Sequence, residues 1–144
     1  MFGFGKNKEE KKAADEIGKC LHKQIRDAIL ENEAMAGIKL QTPIAVGYIY
    51  NFIMGSFISQ GIHKDGMVQK YIEYICNGIL PNTLWEAVNK VMQFADQFED
   101  ELQQGMEAGS EDSFYFKDSG SEHPNNLYRF LIGNEFLFSN TGDD

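Results

Sequence analysis

The amino-acid sequence predicts a mainly α-helical protein, a four-helix bundle-like domain with an acidic loop and a short C-terminal β-hairpin. Apolar residues recur at helical spacing in four stretches, and helix start and stop signals separate these stretches. Hydrophobic residues make up 42% of the 144 residues and charged residues 24%, as is typical of globular proteins. The length fits one domain.

The first predicted helix lies near the N-terminus. Residues 1–12 are rich in Lys and Glu, and we expect them to be disordered. A single helical domain then spans 13–139, and 140–144 form a tail. An apolar face indicates the first helix because its members recur every four residues: Ile17, Leu21, Ile25 and Ile29. The pattern ends near Gly37, since glycine commonly terminates helices.

The second predicted helix has the strongest apolar character. Thr42 and Pro43 mark its start, because Thr is a favoured N-cap and Pro suits the first helical position. Residues 44–60 are apolar nearly all round, so we expect this helix in the middle of the bundle. The longest apolar stretch, 44–58, is shorter than the roughly 20 residues that a bilayer requires.

A stripe of small and polar residues follows one side of this helix at a spacing of four: Gly47, Asn51, Gly55 and Ser59. Such a stripe favours a close helix crossing in which Asn51 is hydrogen-bonded to a neighbouring helix. The alternative is a small-molecule cavity in the core. Its lining would be Tyr48, Asn51, Phe52, Tyr71 and Tyr74.

Two more helices complete the predicted bundle. The third covers about 64–77 and closes at Asn77-Gly78. Thr83 and Glu86 form a capping box, which predicts a fourth helix from Thr83 to about Gln104, ended by Gly105. Short links between helices favour antiparallel neighbours.

The C-terminal third changes character. Residues 105–126 are rich in Gly, Ser, Asp and Glu, and we interpret them as an acidic loop with a short strand at 114–116. Gly133-Asn134 between two aromatic runs indicates a two-residue hairpin turn. A helix beginning at Pro124 is the alternative.

The net charge of −9 is unevenly distributed. Residues 1–40 carry net +1, whereas segment 96–122 holds nine acids and one base. Because phosphate binding needs a basic face, we do not expect nucleic acid as a partner. Acids late in the predicted fourth helix oppose the helix dipole, so local stability does not explain them.

A basic protein surface is therefore one expected partner of this segment. The residues predicted to contact it are Asp96, Glu99, Asp100, Glu101, Glu107, Glu111 and Asp112. The simpler interpretation is a solvated helix face followed by a solubilising loop.

Patterns typical of metal sites or catalysis are missing from the sequence. Cys20 and His22 fall on different helix faces, His63 and Asp65 have no further ligands nearby, and His123 lies in a polar loop. The flanking pattern of a serine nucleophile is also missing. We predict no catalytic residue, metal or cofactor, and the sequence leans against an enzyme.

The predicted compartment is the cytoplasm. Cys20 and Cys76 lie in apolar helical stretches, which is typical of buried thiols in a reducing compartment. The first residues lack an apolar run of secretory-signal length.

Three hypotheses for function follow, each from a different class. The first is a non-enzymatic intracellular interaction protein that binds a basic protein partner through an acidic surface. The second is a helical bundle that binds a small molecule in a core cavity. The third is a self-associating structural subunit, suggested by the C-terminal aromatic residues Phe130, Phe136 and Phe138.

Overall fold

The computed structural model describes residues 2–62, 66–81, 83–116 and 124–138, and these ranges are mainly helical. The prediction of a mainly α-helical protein is confirmed. Within those ranges there are seven α-helices, a π-helical turn at Ile75–Ile79 and a 3-10 helix at Ala95–Phe98, and there is no strand. The helices are α1 (Phe2–Glu31), α2 (Glu33–Lys39), α3 (Pro43–Ser59), α4 (Met67–Tyr74), α5 (Thr83–Gln93), α6 (Glu99–Ser113) and α7 (Asn126–Leu131).

Helix α1 is longer than the sequence indicates. Its predicted apolar face is buried, but the helix already begins at Phe2, so residues 2–12 are helical where we expected disorder. Glu10 is buried in this segment and accepts a hydrogen bond from the Tyr71 hydroxyl, which fastens the segment to α4. The helical path is interrupted at Asn32, between α1 and α2. The Asn32 side chain caps α2 by accepting a hydrogen bond from the Met35 N–H. Gly37 lies inside α2.

Helix α3 occupies the centre of the fold. It begins as predicted, with Pro43 at its first position and the Thr42 hydroxyl oxygen accepting a hydrogen bond from the Ala45 N–H. It contacts α1, α4, α5, α6 and α7. Nine of its residues are buried, so its apolar character reflects cover by other helices along most of its length, whereas Ile58 and Ser59 at its end are exposed. In the described residues, no helix combines the length and apolar character that crossing a membrane requires.

The predicted fourth helix is two helices. α5 ends at Gln93, the 3-10 helix follows, and α6 begins at Glu99 and continues to Ser113. The first nine residues of the predicted acidic loop, 105–113, are therefore helix. Residues 114–116 form a turn rather than a strand. The prediction failed because Gly105 and Gly109 resemble helix terminators in sequence.

Those two glycines allow α6 to pack directly on the backbone of α3. A Cβ atom at Gly105 would overlap the carbonyl oxygen of Ile44, and one at Gly109 would overlap that of Tyr48. On α3, a Cβ at Gly47 would lie 2.5 Å from the Leu102 carbonyl oxygen. Only glycine permits this approach.

The two helices run parallel. Contacts advance together along both chains, from Gly47 beside Leu102 to Gly55 beside Ser113. Sequence reasoning favoured antiparallel neighbours because links between adjacent helices are short. This pair differs because α4, the π-helical turn, α5 and the 3-10 helix lie between its members and return the chain to the starting end of α3.

The predicted C-terminal hairpin is absent from the described residues. Asn126–Leu131 form α7, close to the alternative helix start at Pro124. Gly133 has φ +93°, so the turn signal marks a real turn, but this turn ends α7 rather than joining two strands. Residues 135–138 then run along α7 without forming a strand. The predicted tail, 140–144, lies outside the described residues.

Candidate functional site

Six of the predicted partner-binding acids are exposed or half-buried on the 3-10 helix and α6, and they are together named here the acidic face: Asp96, Glu99, Asp100, Glu101, Glu107 and Glu111. Asp96 belongs to the 3-10 helix and the other five to α6. Four of the six are exposed, and Glu101 and Glu111 are half-buried. Glu99, Asp100 and Glu107 form no salt bridge with any residue of the described ranges.

Local electrostatics explain part of the acidic face. Glu99, Asp100 and Glu101 occupy the first turn of α6, where the positive end of the helix dipole stabilises negative charge. This corrects the expectation that these acids oppose the dipole, which assumed one helix through residue 99. Glu107 and Glu111 lie in the second and last thirds of α6, beyond the reach of this effect. Glu107 instead accepts a hydrogen bond from the side-chain amide of Gln103, one turn earlier, at 3.3 Å.

Glu107 and Glu111 border a surface groove of about 470 Å³. Its lining combines polar side chains with three large apolar ones, and it is formed by Asn51, Gln103, Met106, Glu107, Ser110, Glu111, Phe114 and Phe138. Phe114 is 75% exposed and lies in this lining, whereas the similarly exposed Leu30 and Ile38 do not. This groove, called the α6 groove below, is formed by residues of α3, of α6 and of the C-terminal segment 135–138.

Asn51 fixes the floor of the α6 groove. Its side-chain amide donates to the carbonyl oxygen of Met106 at 3.2 Å and to the Ser110 hydroxyl oxygen at 3.0 Å. The expected bond between Asn51 and a neighbouring helix is therefore present, within the glycine-lined crossing. Two bonds to consecutive turns of α6 help to hold that helix in register on α3.

Asp112 does not belong to the acidic face. Its side chain is fully buried, and its carboxylate accepts hydrogen bonds from three donors of the described residues. The donors are the Tyr48 hydroxyl at 2.6 Å, the Asn126 N–H at 2.9 Å and the Asn126 side-chain amide at 3.0 Å. Asp112 is therefore a structural residue that ties α6 to α3 and α7.

The same network continues into α1 and the C-terminal segment. Gln24 donates to the Tyr48 hydroxyl oxygen at 3.3 Å and accepts from the Tyr128 N–H at 3.1 Å. The Asn126 side chain exchanges two hydrogen bonds with the backbone of Leu137, at 2.8 and 2.7 Å. Burial and the charge of Asp112 raise the pKa of Tyr48 well above its ordinary value of 10.0.

The aromatic residues suggested for a core cavity lie in two groups. The Tyr48 and Phe52 rings stack at 5.7 Å, beneath Phe136 and Phe116. Tyr71 and Tyr74 pack edge to face on α4. The Tyr74 hydroxyl donates to Asp15 at 2.7 Å, so this second group contacts α1. Asn51 belongs to neither aromatic group, because its side-chain amide donates its hydrogen bonds to α6.

The cysteines show no features of reactive groups. Burial, with a smaller effect of the Asp112 charge, raises the pKa of Cys20 from 9.0 to about 12. Burial alone raises the pKa of Cys76 from 9.0 to about 12. Both are free thiols that stay protonated at neutral pH, where a thiolate would be needed for nucleophilic chemistry.

In the described ranges, no three His, Cys, Asp or Glu side chains converge as a metal site would require. His63, Asp65 and His123 lie outside these ranges.

Sequence reasoning missed the apolar half of the α6 groove. It placed 105–116 in a loop, so the helical spacing of Met106, Ser110 and Phe114 was not considered. The spacing of four between Gly105 and Gly109 was the available signal, since glycines at that spacing permit close helix packing.

Neither protein-family models, nor curated proteins, nor solved structures include a match to this chain. The functional assignment therefore depends on the geometry of the α6 groove and the acidic face.

Proposed function

We propose that this protein is a non-enzymatic intracellular interaction protein, which binds a basic protein partner through the acidic face and the adjoining α6 groove. One observation supports this above all. Glu107 and Glu111 border the same groove as the exposed ring of Phe114. An apolar centre with charges at its rim is the common composition of protein interfaces.

The charge distribution supports a partner whose surface is positively charged. The acidic face concentrates negative charge on α6, whereas Lys and Arg of the described residues are concentrated on α1. A surface of one sign accelerates encounter with a partner of the opposite sign. The unpaired state of Cys20 and Cys76 is in keeping with an intracellular location.

The exposed position of Phe114 distinguishes binding from mere solubilisation. Acids alone would serve to keep the protein soluble, and this would explain charge on a solvated helix. A phenylalanine 75% exposed in the same groove as two glutamates has the opposite effect on solubility. The combination is better explained by a surface that becomes covered.

The test is affinity capture from lysate of the source cells, with Glu107→Gln/Glu111→Gln as the matched variant. We expect a basic protein to be retained by the wild-type chain at low salt and lost at high salt. The variant removes two charges and keeps the size of both side chains, so it should associate at least about tenfold more slowly with the purified partner. Equal association rates for both proteins would refute the proposal.

A further inference from the structure

Part of the acidic face continues the α6 groove as a stripe along α6. Exposed and half-buried residues of this stripe follow the helical spacing of three and four, namely Asp100, Gln103, Glu107, Ser110, Glu111 and Phe114. Asp100, Glu107 and Phe114 are each seven residues apart. At a rise of 1.5 Å per residue, this stripe is about 21 Å long.

The heptad spacing favours one form of partner. Two residues seven apart on a helix are separated by about 10.5 Å along its axis, and a helical partner lying alongside repeats its own face at the same interval. An extended chain repeats its face about every 6.6 Å, which does not match. Charges on a helical partner would therefore meet Asp100 and Glu107 in register.

We infer that the α6 groove binds an amphipathic basic helix of the partner protein. Its one large apolar side chain packs against Phe114 and Phe138, and its Lys or Arg residues lie seven and fourteen positions away, opposite Glu107 and Asp100. This inference rests on the proposed function and adds the form of the partner to it. Charge complementarity selects a basic helix, and the exposed ring of Phe114 requires the apolar residue.

The structure also prepares this surface for binding. Asn51 bonds two turns of α6, and the glycine contacts between α3 and α6 leave the helix little freedom. A partner helix would therefore bind without ordering the groove first, which lowers the entropic cost of binding.

The probe is a pair of labelled synthetic peptides of identical composition. In the first, Leu and two Lys share one helical face at a spacing of seven. In the second, the same Lys residues are moved to the opposite face. Fluorescence anisotropy should show that the first peptide binds at least about tenfold more tightly than the second, because only the first can use both contacts together.

Two variants separate the apolar contact from the charged one. Phe114→Ser should weaken binding of the first peptide by at least about tenfold and leave the salt dependence of binding unchanged. Glu107→Gln should reduce the salt dependence. Leu30→Ser is the matched control, because Leu30 is 79% exposed and lies outside the groove lining. Phe114 and Leu30 are both exposed, so neither variant threatens folding.

The outcomes distinguish the inference from the proposed function. If both peptides bind equally, or if Phe114→Ser binds like the wild-type protein, the helical docking inference is overturned. The proposed function then still stands, provided that the glutamine variant slows association with the captured partner. If that variant has no effect, the proposed function fails as well. Absence of binding by either peptide also overturns the inference.

Discussion

The Tyr48 hydroxyl donates a 2.6 Å hydrogen bond to Oδ2 of Asp112, and neither side chain has exposed surface. The glycine crossing brings the backbones of α3 and α6 together, but glycines alone do not select one register. A buried carboxylate has to find its donors, so this bond selects the register in which Tyr48 and Asp112 meet. The same pairing places Asn51 opposite Met106 and Ser110 and so builds the groove floor.

Asp112→Asn should lower the free energy of unfolding by about 3 kcal/mol, because the new amide group presents a donor where the carboxylate accepts from Asn126 or Tyr48. Urea denaturation at neutral pH measures this. Asp100→Asn is the control, since its exposed carboxylate has only the helix-dipole interaction of the first turn to lose and should change stability by less than about 1 kcal/mol. Similar effects of the two substitutions would contradict the structural role of Asp112.

Gly105→Ala should destabilise the protein by about 2 kcal/mol or more, although alanine is the better helix former. The added methyl group would overlap the carbonyl oxygen of Ile44, and a backbone atom cannot move aside as a side chain does. Gly37→Ala adds the same methyl group in open space on α2 and should stabilise by up to about 1 kcal/mol. Thermal unfolding of both variants would show whether Gly105→Ala lowers the stability while Gly37→Ala raises it.

Ser56→Ala should raise the free energy of unfolding by about 1 kcal/mol. The Ser56 hydroxyl is fully buried and has no hydrogen-bond partner among the described residues. Removing it therefore spares the folded state the free-energy cost of taking an unpaired hydroxyl out of water. Ser59→Ala at the exposed end of α3 makes the same change in helix propensity but removes the 3.1 Å hydrogen bond that the Ser59 hydroxyl donates to the Ser56 carbonyl oxygen, so it should not stabilise. Should Ser59→Ala stabilise as much as Ser56→Ala, propensity rather than burial would be the cause.

Alkaline pH should destabilise the protein from about pH 9 upward. Cys20 and Cys76 ionise near 9.0 in the unfolded chain but keep their protons to about 12 in the folded one. The unfolded state therefore loses protons first, so folding free energy present below pH 9 is lost as pH rises toward 12. Each thiol contributes roughly 1 kcal/mol to the loss between pH 7 and pH 10.

Urea unfolding between pH 7 and pH 10 measures this dependence. Cys20→Ala/Cys76→Ala should flatten it, whatever the double substitution does to stability at pH 7. An unchanged pH dependence in that variant would show that other groups, such as Tyr48, are responsible.

Sequence reasoning succeeded where a signal was local. Thr42 and Pro43 define a helix start by chemistry confined to a few residues, and α3 begins there. The stripe containing Gly47 and Asn51 correctly indicated a close crossing, because small residues at a spacing of four have few other uses.

It failed where the deciding contact was distant in sequence. The break after Gln93 contains neither Gly nor Pro, so nothing local indicated that α5 and α6 are separate. Asp112 and Glu111 are neighbouring acids in the same acidic segment, and the local sequence does not distinguish them. Only the approach of Tyr48 and Asn126, 64 and 14 residues away, makes one acid structural while the other borders the groove.

The parallel arrangement of α3 and α6 has a consequence for how the chain acquires its structure. In an antiparallel helical hairpin, the two members meet as soon as a short link closes. Here α3 and α6, which pack most closely, are separated by residues 60–98. Bringing them together costs the conformational entropy that is lost when that long loop closes. Folding should therefore be slower than in simple up-and-down bundles of this size. During synthesis on the ribosome, α3 would emerge well before α6, with its glycine stripe and Tyr48 uncovered until residue 113 had been added.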